Sequence, residues 1–206
     1  MTTTINGTTG VTFPAGGVGN PAGAVVGTTD TQTLTNKTLT SPTITGAVVS
    51  TMASSVITSG TAVTVSGTSI DFTSIPSWVK RITVMFDGVS TSGTSVIQVQ
   101  LGDSGGVETT GYLSSSSTAG GTVSAITSGF TICTPTAASV VSGHCVITLI
   151  DSANTWIQTS LVKSSTATMA YSAGDKTTSD TLDRIRITTI NGTDTFDAGT
   201  VNLFFE

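Results

Sequence analysis

The sharpest chemical possibility in the chain is the run Gly102-Asp103-Ser104-Gly105-Gly106, which sets a serine hydroxyl among glycines. A serine nucleophile needs a base within hydrogen-bond reach and an acid to orient that base. The single histidine, His144, comes well after Ser104 and has no partner close to it in sequence. The run is equally a hairpin loop following a strand that ends at Leu101, and His144 reads as a rim or interface residue. The acid pairs Asp180 with Asp183 and Asp194 with Asp197 lack the alternating oxygen ligands of a calcium loop. One histidine and the absence of a C-x-x-C pair leave a zinc site short of ligands. The expectation is therefore no catalytic residue, no metal and no cofactor. Cys133 and Cys145 are placed on neighbouring strands, where a disulfide is geometrically possible and two buried thiols are expected in a reducing compartment.

Binding chemistry is a different matter. The stretch from Asp103 to Thr122 reads as a long loop rich in Gly and Ser with Tyr112 in its middle. A tyrosine offers a flat apolar face and a hydroxyl, a suitable surface for a sugar or a protein, and loops on a rigid scaffold are where binding residues gather. Tyr112 is the first candidate receptor-binding residue. Trp156, at the start of a strand, is the second. Trp78, following Pro76 at a strand entrance, is expected in the core.

Composition says what must carry these residues. Ser and Thr make up about a third of the 206 residues, 23 more are Gly, and only 9% are charged. Mean hydropathy is +0.30 and 37% of residues are hydrophobic, mostly Val and Ile. Disordered chains pair low hydrophobicity with high charge. Branched side chains suit a pleated surface, and helix-forming runs of Ala, Leu, Glu, Lys and Arg are missing. An all-β chain follows. Seven Lys plus Arg against a net charge of −5 give no cationic cluster for phosphate, so no nucleic-acid partner is expected. No apolar run is long enough to cross a membrane as a helix. The N-terminus lacks the pattern of a signal peptide, so folding in a cytoplasm is expected.

The chain changes character near residue 55. Before Asp71 the only charged side chains are Asp30 and Lys37, and Phe13 is the only aromatic before Phe72. Residues 1–55 cannot bury a core by themselves. They are expected as an extended segment ordered by oligomerisation, with Leu34, Leu39 and Ile44 facing an inter-chain axis. Residues 56–206 are expected to form an antiparallel β-sandwich of jelly-roll type. Alternation marks Ile82, Val84 and Phe86; Ile97, Val99 and Leu101, opposite Gln98 and Gln100; Ile185 and Ile187; and the C-terminal Val201–Glu206. Cys145–Ile150, apolar on both faces, is placed centrally or at a subunit interface. Turns are expected at Asp87-Gly88, Ser92-Gly93, Gly105-Gly106, Ala173-Gly174-Asp175 and Asn191-Gly192.

Three phrases carry a resemblance to tail-fibre and related virion proteins of tailed bacteriophages. They are Thr4–Pro14 (TINGTTGVTFP), Asp30–Ile44 (DTQTLTNKTLTSPTI) and Ile75–Phe86 (IPSWVKRITVMF). The second is close to a phrase that recurs in phage fibre polypeptides. The resemblance implies a homotrimer, a virion location, other virion proteins as partners of the N-terminal segment, and host-surface glycan or protein as partner of the C-terminal domain. A capsid-decoration or head-fibre protein with an architectural role is the alternative. A glycan hydrolase or serine protease ranks below both. Residues 102–106 do match the nucleophile segment of chymotrypsin-like proteases, but that family places its histidine before the serine.

Overall fold

The computed structural model describes residues 57–121, 123–136, 138–150 and 153–206, together with the strands Thr4–Asn6 (β1) and Gly10–Thr12 (β2). The chain divides into two compact units, Met1–Thr51 and Met52–Glu206. In the first, β1 and β2 pair antiparallel with Ile5 opposite Val11, so these residues form a ribbon inside the stretch expected to be extended. Leu34, Leu39 and Ile44 lie outside the described residues.

The second unit is all-β. Its strands are β3 (Thr58–Ser59), β4 (Val63–Thr64), β5 (Ser69–Thr73), β6 (Arg81–Thr91), β7 (Ile97–Asp103), β8 (Gly106–Val107) and β9 (Leu113–Thr118), followed by β10 (Ser124–Ile126), β11 (Phe130–Cys133), β12 (Val141–Leu149), β13 (Thr155–Lys163), β14 (Met169–Thr177), β15 (Arg184–Thr189) and β16 (Phe196–Phe205). All pair antiparallel, in two sheets. A nine-stranded sheet runs β10-β9-β14-β13-β12-β6-β16-β3, with β4 also on β16, and a five-stranded sheet runs β11-β7-β15-β5, with β8 on β7. Counting the meander β12-β13-β14 as one position gives the eight positions β5, β6, β7, β9, β10, β11, meander and β15. One sheet then holds positions one, eight, three and six, and the other holds two, seven, four and five. That is the strand order of a jelly roll. The additions are two extra strands in the seventh position and β16, with its short partners, beside β6.

The alternating stretches form the apolar part of the core. Ile82, Val84, Phe86, Ile97, Val99, Leu101, Ile185, Ile187, Val201 and Leu203 are all buried in one cluster with residues of both sheets. Gln98 and Gln100, expected on a wet face, are buried as well. The loop before β11 covers them: Ser128 Oγ donates to Gln98 Oε1 at 2.8 Å, and Gln100 Nε2 donates to the Ser128 carbonyl at 2.9 Å. Central placement of the Cys145 strand holds, since β12 lies between β13 and β6.

Buried polar side chains lie among the remaining apolar ones. The pairing register aligns Cys145, Ser160, Ser172 and Ser116 across β12, β13, β14 and β9. Ser160 and Ser172 hydroxyls meet at 2.6 Å, and Gln158 Nε2 donates to Ser172 Oγ at 2.9 Å. Between the sheets, Thr131 N–H of β11 donates to Ser114 Oγ of β9 at 2.9 Å. Cys133 and Cys145 sit on β11 and β12, in different sheets rather than on neighbouring strands, and both are free and buried. Burial pushes each thiol up to about 12, so neither is a reactive thiolate at neutral pH.

Two expected turns are interior to strands. Asp87-Gly88 lies within β6 and Ala173-Gly174-Asp175 within β14. Gly88 marks a bulge: the registers of β6 with β12 and with β16 both slip there, and Gly88 N–H donates to Ser142 Oγ at 3.0 Å. Gly199, at φ +102°, lies against it. A Cβ at Gly199 would come within 2.5 Å of the Gly88 backbone. Bulges bend strands and increase their twist, and these glycines permit that bend. Gly199→Ala should lower stability by at least about 1–3 kcal/mol, the cost of a strained backbone position alone. Urea denaturation is the check; an unchanged midpoint would contradict the bulge assignment.

Candidate ligand-binding site

Three connections converge at one end of the sandwich and line an open cavity of about 450 Å³. The β5–β6 link supplies Ser77, Val79 and Lys80, and the β14–β15 link supplies Thr181 and Leu182. The β12–β13 hairpin supplies Leu149, Ile150, Asn154 and Trp156. The links are tied down by backbone bonds. Leu149 N–H donates to the Lys80 carbonyl at 2.8 Å, and Thr178 N–H donates to the Asn154 carbonyl at 3.1 Å. Asn154 adopts φ +59°, a left-handed conformation that asparagine tolerates better than most residues.

The chain's two tryptophans both belong to this region. Trp156 is 3% exposed and lines the cavity. Its indole Nε1 is buried and has no hydrogen-bond partner among the described residues. Trp78 stands between the lining residues Ser77 and Val79, in a turn closed by Val79 N–H to the Pro76 carbonyl at 3.1 Å. It is 53% exposed. The core placement expected for Trp78 is therefore wrong: the turn carries its backbone over the end of the sandwich and points the ring to solvent. Ile150, from the opposite wall, is also exposed.

Tyr112 is elsewhere and does other work. It is fully buried, and its ring meets Phe130 edge-on at 5.1 Å. Its hydroxyl accepts from Leu101 N–H at 2.7 Å and donates to the Glu108 carbonyl at 3.0 Å. Lys176 lies 5.4 Å from the ring centroid and pairs with Glu108. Tyr112 is a structural pillar, and in this fold its ring is not available to a ligand. The loop it was assigned to contains the strand β9, whose inward Ser114 and Ser116 pack on β11 and β14. A serine run shows no apolar alternation, so nothing in composition distinguishes that strand from a loop.

The Asp-Ser-Gly-Gly run is the β7–β8 turn, as the hairpin reading expected. Asp103 Oδ1 accepts from Gly105 N–H at 2.8 Å and Oδ2 from Ser179 Oγ at 2.6 Å. His144 is exposed on β12, in the other sheet. Asp183 pairs with Arg184, Asp71 with Arg186, and Asp194 accepts from Ser95 N–H and Asn191 Nδ2. Among the described residues no three His, Cys, Asp or Glu side chains converge as metal ligands would. Comparison of the chain with protein-family models, with curated proteins and with solved structures finds no match.

Two predictions follow from the knot around Tyr112. Removing its hydroxyl strands the Leu101 N–H and the Glu108 carbonyl, so Tyr112→Phe should cost about 1–3 kcal/mol in chemical denaturation; a change within error would mean that water replaces the hydroxyl. The second concerns acid. The Ser179 hydroxyl and the Gly105 N–H hold Asp103 below its ordinary pKa. Burial alone would raise Glu108, but bonds from Lys176 and Ser179 outweigh it and the net shift is downward. Carboxylates depressed in the folded state add stability above their unfolded pKa, and that stability is lost as pH falls through the folded one. The melting temperature should therefore drop between about pH 5 and pH 3, and less steeply in Asp103→Asn. Parallel profiles for the two proteins would remove Asp103 from the account.

Proposed function

We propose that the chain is a structural component of a tailed-bacteriophage particle, a trimeric fibre or appendage protein. In this reading residues 1–55 attach to other virion proteins and associate around an axis through Leu34, Leu39 and Ile44. The sandwich faces outward and contacts the host surface through the end that carries the cavity. One observation carries the reading: a single chain joins the fibre-like phrase of Asp30–Ile44 to a jelly-roll sandwich with a tryptophan-lined cavity at one end. Loops at the end of a rigid sandwich are a common place for recognition, and several copies on a particle raise weak binding through effective concentration.

An architectural role, as a capsid-decoration or head-fibre protein, draws support from a different feature. The outer face of the nine-stranded sheet exposes Leu161 of β13 beside Met169 and Tyr171 of β14, with Leu161 directly opposite Tyr171. Apolar patches of this kind mark surfaces that meet other proteins.

Light scattering on the full chain should give three times 20.7 kDa, and Leu34→Asp with Leu39→Asp should lower that mass. A monomer in native buffer would end the trimer reading. Immunogold labelling of intact particles should decorate the tail or its appendages; label confined to the capsid would favour the architectural role, and unlabelled particles would remove both.

A further inference from the structure

We infer that the outer face of the nine-stranded sheet, centred on Leu161 and Tyr171, is where a second copy of this chain packs against the sandwich. This contact rests on the trimer reading for its setting and adds to it, since that reading places association in residues 1–55 alone.

The two outer faces of the sandwich differ. On the five-stranded sheet the chain covers itself: the loop before β11 bonds Gln98 and Gln100, and Arg186 of β15 pairs with Asp71 of β5. On the nine-stranded sheet the pairing register sets Met85, His144, Leu161 and Tyr171 in one line across β6, β12, β13 and β14. His144, Leu161 and Tyr171 are exposed, and so is Met169 of β14. An open notch of about 250 Å³, lined by Tyr171, Ala173, Ser115 and the exposed Val123, continues the line toward β9. Successive side chains of a strand point to opposite faces. Of the outward positions on β13 and β14, only Lys163 and Asp175 carry a charge.

Size, composition and charge select a like chain as the occupant. β12, β13 and β14 have nine residues each, β6 has eleven and β9 six. At the usual rise and spacing of strands, the face they share spans about 700 Å², close to the ~800 Å² that each partner gives to a stable interface of standard size. Interface centres are rich in Tyr and Met and poor in Lys, Glu and Asp, and those between identical chains are the most apolar. Tyr171, Met169 and Leu161 with two charges toward the margin match that description. The net charge of −5 makes copies repel, so a face with almost no charge is where two of them meet at least cost. A partner recognised by charge would find little on β13 and β14 to pair with.

Two measurements on the full chain test this contact. Sedimentation velocity follows Leu34→Asp with Leu39→Asp, which removes the axial contact proposed for residues 1–55, alone and combined with Tyr171→Asp. The first protein should still self-associate, and Tyr171→Asp should weaken that association at least about tenfold, as for a buried aromatic anchor. Tyr171→Phe should leave it unchanged. The second measurement needs no variant. Met169 is 50% exposed in a single copy, so in the wild-type assembly its oxidation by dilute peroxide should lag the urea-unfolded chain by far more than the factor of about two that such exposure allows. Association that Tyr171→Asp leaves unmoved overturns the inference, as does oxidation of Met169 at about half the unfolded rate. Protection of Met169 in a protein that sediments as a monomer also overturns it, by assigning the face to this chain's own N-terminal residues. The trimer reading fails separately. A dimer that Tyr171→Asp dissociates removes the trimer and keeps this contact, whereas a trimer with a freely oxidised Met169 does the reverse.

Discussion

With aromatic residues at 5% and hydroxyl residues at about a third of the chain, the two sheets cannot close over an interior made only of large apolar side chains. Ile, Val, Leu and Phe, chiefly from β6, β7, β11, β15 and β16, form the apolar cluster. Beneath β11, serines, a threonine and a glutamine bond one another among these apolar side chains, and Gln158 Oε1 is the atom left without a partner among their described side-chain groups. A buried hydroxyl without a partner costs about 1–3 kcal/mol, whereas a paired one contributes modestly. The polar group therefore tolerates few alternative registers. A slip of β9 by one residue would turn Ser114 away from Thr131 and strand several groups at once.

That constraint reaches the cavity through β13 and β14. Trp156 continues the inward row that holds Gln158 and Ser160, and its cross-strand neighbour is Lys176, the residue that joins Glu108 and the Tyr112 ring. The polar core, the Tyr112 knot and the wall of the cavity are thus one connected set of side chains. The glycine bulges on β6 and β16 act on the other side of the large sheet, where Gly199 lets two backbones approach more closely than a side chain would permit and Gly88 adopts φ +65°.

Sequence reasoning read the apolar cluster well, because period-two alternation of large residues is a strong signal: Ile82, Val84, Phe86, Ile185 and Ile187 all went where alternation placed them. It failed where side chains are small. Along β9 Ser114, Ser116 and Ser117 are buried and Ser115 is exposed without any change of residue type, and a strand of that composition is indistinguishable from a loop. Gly88 and Gly174 are spelled like turn residues, yet inside long strands Gly88 supplies the positive φ of a bulge and Gly174 a close backbone approach. Tyr112 was misjudged for the same reason, since its burial depends on β9 being a strand. Of the candidate site, Trp156 was legible as a residue but not as a cavity wall. Trp78 escaped because only the β5–β6 turn decides that its ring faces solvent, and the convergence of three distant links has no local signature.

The central claim is that hydrogen bonds between the sheets, rather than apolar contact alone, hold the sheets closed over the polar group. Native-state hydrogen exchange at the Thr131 amide tests it most directly, because that N–H bonds a side chain of the opposite sheet instead of a neighbouring strand. The account predicts that this amide exchanges only through global unfolding, as slowly as the core amides of β7 and β15, and that Ser114→Ala moves it to a faster, local opening. Exchange in the wild-type protein at the rate of exposed-loop amides would contradict it.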